Sequence, residues 1–175
     1  MGDTEAKASS APRQNPMIER PIHKSIEADA ISKLISEYEY SSPITNKEKV
    51  DLLKKVETAL NRNSQNCPKA PKFIANLLTN PDPTIRKTAF TCALLILSNP
   101  NNPKSLLLDS YRLAMCCSNL QVAQYSLSLL PDFINVCPEE TSNLIKFGVV
   151  AHNRLPAPST ELEVFLSKSL SAASK

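Results

Sequence analysis

The sequence predicts an all-α fold, an α-solenoid of about four stacked antiparallel helical hairpins. Apolar residues recur at helical spacing in each segment beyond the N-terminal stretch, and no segment alternates as a strand would. Prolines and capping residues then cut the chain into short helices. Finally, the apolar pattern of residues 72–100 returns with an offset of 37 residues, within the range of repeat units that bury their faces only against neighbours.

Residues 1–21 are rich in Ser, Ala, Pro and charge, with too few large apolar side chains to offset the entropy of ordering them, and are expected to be a disordered tail. The repeat domain is expected over residues 22–172. From Ser25, Ile26, Ala30, Leu34 and Tyr38, with Ile31 and Ile35 beside them, predict a helix ending near Tyr40, where Ser41-Ser42-Pro43 breaks it. Thr45-x-x-Glu48 is a capping box for a helix carrying Val50, Leu53, Val56, Ala59 and Leu60, and a loop follows over residues 61–71.

The next two helices form the clearest hairpin. Phe73, Ile74, Leu77 and Leu78 give the first an apolar face, as Ile85, Ala89, Cys92, Ala93 and Ile96 give the second. Between them Asn80-Pro81-Asp82-Pro83 removes two N–H donors and favours extended backbone, with Asp82 placed to cap the second helix and Pro83 at its first position. In the echo of this hairpin, Ile74 falls on Tyr111, Leu77 on Ala114, Ile85 on Val122, Ala89 on Ser126, Cys92 on Leu129 and Ile96 on Phe133. This register places Leu129 in the shared core. Pro131 should kink or split its helix. A further helix over residues 139–153 has a face of Leu144, Ile145, Gly148 and Ala151. Thr160-x-x-Glu163 is a second capping box, opening a last helix with a face of Leu162, Phe165, Leu166 and Leu170.

Composition excludes several function classes. Only Gly2 and Gly148 are glycines, so phosphate-cradling loops, dinucleotide fingerprints and nucleophile elbows are ruled out. The net charge of +3, from 20 basic and 17 acidic residues, is spread without a like-charge run. The five cysteines, Cys67, Cys92, Cys116, Cys117 and Cys137, form no C-x-x-C and fit small core positions in a reducing compartment, with at least one of Cys116 and Cys117 packed in the core. His23 and His152 have no companions at metal-ligand spacing, so no metal or cofactor is expected. A nucleophile built from Ser126 or Cys137 with His152 has no support in the spacing, and no enzymatic role is expected. Neither a signal peptide nor a membrane span is expected, which points to the nucleus or cytosol.

The turn Asn80-Pro81-Asp82-Pro83-Thr84-Ile85-Arg86-Lys87-Thr88-Ala89 resembles the intra-repeat turn of HEAT repeats, relatives of armadillo repeats, in which a short Asp/Pro turn precedes a β-branched residue and an Arg or Lys. The likeness covers residues 71–138; Ala123 stands in the second hairpin where Arg86 stands in the first, which removes one rung of any Asp/Arg ladder. The segment Gln121 to Phe133, of form V-A-x-x-x-L-S-L-L-P-x-F and followed by Cys137 and Glu139, is similar to the C-terminal end of the Integrator complex subunit 1 family. That resemblance implies a nuclear scaffold in snRNA 3′-end processing and transcription termination.

Stacked helical pairs bind partners along extended surfaces. The expected protein-binding ridge comprises Asp82, Thr84, Arg86 and Lys87 in one unit and Asn119, Gln121 and Gln124, with Tyr125 beside them, in the next. Arg86 and Lys87 are both expected to point outward. The expected partners are other subunits of a multiprotein complex, with no small-molecule substrate and no membrane. An alternative is an RNA-binding repeat reading phosphates with Lys69, Lys72, Arg86, Lys87 and Lys104, and another is a cytosolic adaptor, for which no lipid-binding face is visible.

Overall fold

The computed structural model describes residues 19–42, 44–62, 68–156 and 159–173, and the side chains of residues 19–29 and 173 are left aside. Residues 1–18 of the tail expected over 1–21, and Cys67, lie outside the described residues. Helix α1 spans Glu19–Tyr40, α2 Asn46–Arg62, α3 Ala70–Leu77, α4 Pro83–Leu97, α5 Ser105–Met115, α6 Leu120–Ser128, α7 Leu130–Val136, α8 Thr141–Asn153 and α9 Thr160–Ala173. A single 3-10 turn, Pro138–Glu140, precedes α8. Among the described residues every regular element is helical, and none of the helices is long and apolar enough to cross a membrane.

Packing follows the sequence pairs. α1 lies on α2, α3 on α4, α5 on α6, and α8 on α9, while α1 contacts α3, α3 contacts α5 and α5 contacts α8. On the other side α2 packs against α4, and α4 against α7. Their inward faces merge into one core, which runs from Ile31 in α1 to Leu166 in α9.

Local chemistry explains most boundaries. The Thr45 capping box forms: the Thr45 N–H donates to the Glu48 carboxylate at 2.6 Å, and the Glu48 N–H donates to the Thr45 hydroxyl at 3.2 Å. The Thr45 N–H and the Thr45 hydroxyl, at 2.9 Å, both donate to the ionised Glu48 carboxylate and hold its pKa below the ordinary value. Asp82 caps α4 by accepting from the N–H groups of Thr84 and Ile85 at 2.8 and 3.1 Å. Asn119, at the equivalent place in the next unit, caps α6 from Gln121 and Val122 at 3.0 and 3.4 Å. The backbone is the same at both caps, φ −71° and ψ 119° at Asp82 against φ −73° and ψ 110° at Asn119. The repeat read from the sequence is therefore present in the turn itself.

The core bears out the register at five of its six pairs. Ile74 and Tyr111, Leu77 and Ala114, Ile85 and Val122, Ala89 and Ser126, and Ile96 and Phe133 are all buried. Leu129 departs from it, being only half-buried where Cys92 is fully buried. The cause is Pro131. It cannot donate to the Leu127 carbonyl, so the helix breaks at Leu129 (φ −93°, ψ 2°) and restarts at Leu130, which takes the buried place. Among the described residues this split gives nine helices where about eight were expected.

Other expectations are corrected. α1 is already helical at Glu19, inside the expected tail. Its described inner face is centred on buried Ile31 and Ile35, with Leu34 and Tyr38 half-buried and Ala30 exposed, rotated from the expected stripe. The α9 cap is Ser159, whose hydroxyl accepts from the Leu162 N–H at 3.4 Å, and Thr160 is already the first helical residue. Leu170, expected on the inner face of α9, is 45% exposed.

Two close approaches join the pairs. A Cβ on Gly148 of α8 would lie 2.7 Å from Leu130 Cδ2 of α7 and 3.4 Å from Leu166 Cδ2 of α9, so the missing side chain lets three helices meet. Further along, the Tyr111 ring stacks on Phe133, with centroids 3.6 Å apart and planes 5° from parallel, and Phe90 meets both edge-on at 6.1 and 6.0 Å. The Tyr111 hydroxyl donates to the Ser126 carbonyl at 2.7 Å, and burial pushes its pKa well above the ordinary value.

Replacing fully buried Leu127 by Ala should cost about 2–5 kcal/mol, and Leu129→Ala clearly less, in denaturant melts of each variant. Equal losses would mean that the helix runs unbroken through Leu129. Tyr111→Phe keeps the stack and removes one bond to Ser126, so its melt should show a loss of roughly 1 kcal/mol; an unchanged midpoint would mean that water replaces the hydroxyl.

Candidate functional site

The two caps place the ridge residues, and in doing so they consume some of them. Asp82 is half-buried with its carboxylate committed to the α4 N-terminus, and Asn119 is exposed with its side-chain oxygen committed to the α6 N-terminus. Thr84, Lys87, Gln121 and Gln124 lie on the outward sides of α4 and α6 and are exposed. Gln124 also edges a groove of about 220 Å³ between α6 and α9, with Leu127 and Leu162 at its base.

Arg86 does not belong to this exposed set. It is 4% exposed, in contrast to the outward orientation expected from the sequence. Its guanidinium folds back over its own turn, where Nη1 donates to the Asn80 carbonyl at 2.9 Å and to the Pro81 carbonyl at 3.4 Å. In a continuing helix these carbonyls would accept from the Thr84 and Ile85 N–H groups, but both donate to Asp82 at the cap, and the guanidinium supplies donors in their place. The same group lies over the Tyr125 ring of the next unit, 5.8 Å from its centroid, and Tyr125 meets Phe90 edge-on at 5.4 Å. Arg86 is thus a clamp within the turn and between units. Ala123, its counterpart, is buried and too short for either role.

The cations of the alternative reading are divided in the same way. Lys104 donates to Glu139 at 2.7 Å; this bond raises the lysine pKa and lowers that of the carboxyl. Lys69, Lys72 and Lys87 remain exposed. Arg112 bridges Asp109 and Glu140 at 2.8 and 2.9 Å and lies over the Phe147 ring at 5.5 Å.

The chemical candidates are scattered. The Ser126 hydroxyl donates to the Val122 carbonyl of its own helix at 2.7 Å. A His152 ring nitrogen faces the Ser159 carbonyl at 3.4 Å. Burial, with Glu57 nearby, pushes the Cys92 thiol up to about 12, and burial likewise raises Cys137, so neither favours the thiolate that nucleophilic attack requires. Cys116 and Cys117 are each half-buried beside a cavity of about 170 Å³, and Met115 takes the fully buried place next to them. Among the described residues no group of three or more His, Cys, Asp or Glu side chains could hold a metal ion.

Several exposed apolar residues were not singled out in the sequence. Leu106 and Leu113 on α5 are 45% and 71% exposed, and Phe147 and Val150 on α8 are 43% and 56% exposed. The signal was there. On α5 the buried positions are Leu107, Leu108, Tyr111, Ala114 and Met115, and Leu106 and Leu113, seven residues apart, fall together outside that stripe.

Residues 38–138 match the family model described as Integrator complex subunit 1, R4 domain, a span from the end of α1 to the start of the 3-10 turn. None of the curated proteins and none of the solved structures matches the chain. The matched span covers more than half of the chain, including both capped turns and the aromatic joint between them, and the chain belongs to the Integrator complex subunit 1 R4 domain family.

Proposed function

We propose that this chain is a non-catalytic helical scaffold whose pairs stack as a short solenoid of HEAT type and hold other protein subunits within the nuclear Integrator complex, in snRNA 3′-end processing and transcription termination. The observation that carries this reading is membership of the subunit 1 R4 domain family over residues 38–138. The solenoid is supported by contacts of first helices with first helices, α1 to α3 to α5 to α8, and of second helices with second, α2 to α4 to α7. A scaffold presents side chains and does no chemistry, and Thr84, Lys87, Gln121 and Gln124 are exposed on successive units for that purpose. The tagged full chain, isolated from nuclear extract, is expected to bring down other Integrator subunits. Recovery of the chain alone would overturn the reading.

Arg86 and Lys87, adjacent in sequence, separate folding from binding. Arg86→Ala should lower stability by about 1–3 kcal/mol, because the bonds of a buried guanidinium to the Asn80 and Pro81 carbonyls are lost. Lys87→Glu combined with Gln124→Glu should leave the melt within roughly 0.5 kcal/mol of the parent and reduce recovery of the partner subunits. Undiminished recovery with a normal melt would remove the ridge as the interface.

A further inference from the structure

A groove of about 340 Å³ opens between the C-terminal end of α1 and helix α3, on residues that the ridge does not use. Its floor is apolar, formed by Ile35 and Phe73, which are 3% and 4% exposed. Tyr40 stands at its edge with 79% of its surface exposed, the most exposed large apolar side chain among the described residues. Lys69 and Lys72 form the opposite rim, and both are exposed.

The charge on this rim is unbalanced. Among the described residues neither lysine forms an ion pair, whereas Lys104 and Arg112 are each matched by a carboxylate. The first turn of α3 carries no acidic residue, and among the described residues Glu39 is the single carboxylate that lines the groove. A volume near the lower end of the range for ligand sites, about 300–1,000 Å³, suits one or two large side chains of a peptide better than a cofactor.

We infer that this groove docks an acidic segment of a partner protein, with one apolar or aromatic side chain seated on Ile35 and Phe73 against Tyr40, and flanking carboxylates paired with Lys69 and Lys72. The inference rests on the scaffold reading and gives it a second surface with a stated chemistry. A bulky apolar anchor supplies affinity, while rim cations select the sign of the flanking charge and speed encounter. A single strand of RNA would need successive stacking platforms along a basic track, and this groove offers one exposed ring and a carboxylate.

The test uses the full chain and a fluorescent decapeptide whose central Leu-Phe pair is flanked on both sides by Asp and Glu. A second decapeptide carries the same pair flanked by Lys, and the competitor is a ten-nucleotide oligouridylate. In anisotropy titrations the acidic peptide should bind, and the Lys-flanked peptide should bind at least roughly tenfold more weakly. Lys69→Glu with Lys72→Glu should reverse that order, and Tyr40→Ala should weaken both peptides. Melts of the variants should match the parent, since all three side chains are exposed. Equal binding of the two peptides, no binding of either, or an unchanged order in the double variant would overturn the inference. Displacement of the acidic peptide by the oligouridylate at equal concentration would overturn it in favour of nucleic acid. Isolation of the double variant from nuclear extract is read separately: Integrator subunits recovered while the titration fails would end the groove and leave the scaffold standing.

Discussion

The joint between the two central units depends on a proline. Pro131 has no N–H to give the Leu127 carbonyl, and the break that follows turns the chain at Leu129 and tightens the last turn of α6, where the Leu129 N–H donates to the Ser126 carbonyl at 3.2 Å. That carbonyl has a second lone pair, and the Tyr111 hydroxyl fills it from α5. With the hydroxyl satisfied, Tyr111 can be fully buried, and with α7 turned by the break, Phe133 lies flat on its ring. Phe90 of α4 closes the joint from the preceding unit. A single missing donor thus determines where two helices end and how two units meet.

The last helix pair is attached differently. The family match ends at Pro138, and α8 and α9 lie beyond it. Lys104 and Arg112 reach across to Glu139 and Glu140; the Lys104–Glu139 pair is open to solvent and contributes little, and the Arg112–Glu140 pair is partly buried. Most of the attachment is apolar, with Leu130 and Leu166 meeting over the place where Gly148 lacks a side chain. The ion pairs join α5 and the residue before it to the 3-10 turn that opens α8, and the close approach joins α8 to α7 and α9.

The fold was legible wherever periodicity and turn chemistry agreed. The faces of α3, α4 and α8, the Thr45 capping box and the split at Pro131 are all as the residues indicate. The residues that made the ridge conspicuous were the ones least able to serve it. Asp82 and Asn119 are recognisable because caps need such side chains, and a side chain used as a cap has fewer acceptors left for a partner. Helical phase alone places Arg86 outward, and phase says nothing of the two turn carbonyls within reach of its long stem. Leu129 was misplaced because a fixed offset assumes continuous helices in both units. The α1–α3 groove was invisible for a further reason: its lining comes from residues 35–40 and 68–76, which only packing brings together.

The chain has no tryptophan and four tyrosines. Tyr111 and Tyr125 both sit against Phe90 in the joint, Tyr38 meets Phe73 edge-on at 5.1 Å, and Tyr40 is largely in solvent. Asymmetric, immobilised rings produce the near-ultraviolet circular dichroism of a folded protein, so in this chain that signal reports on the seam between the central units and on the contact of α1 with α3, while the far-ultraviolet signal counts helix everywhere. The aromatic cluster is therefore a built-in gauge, able to distinguish units that slip apart as intact helices from units that melt.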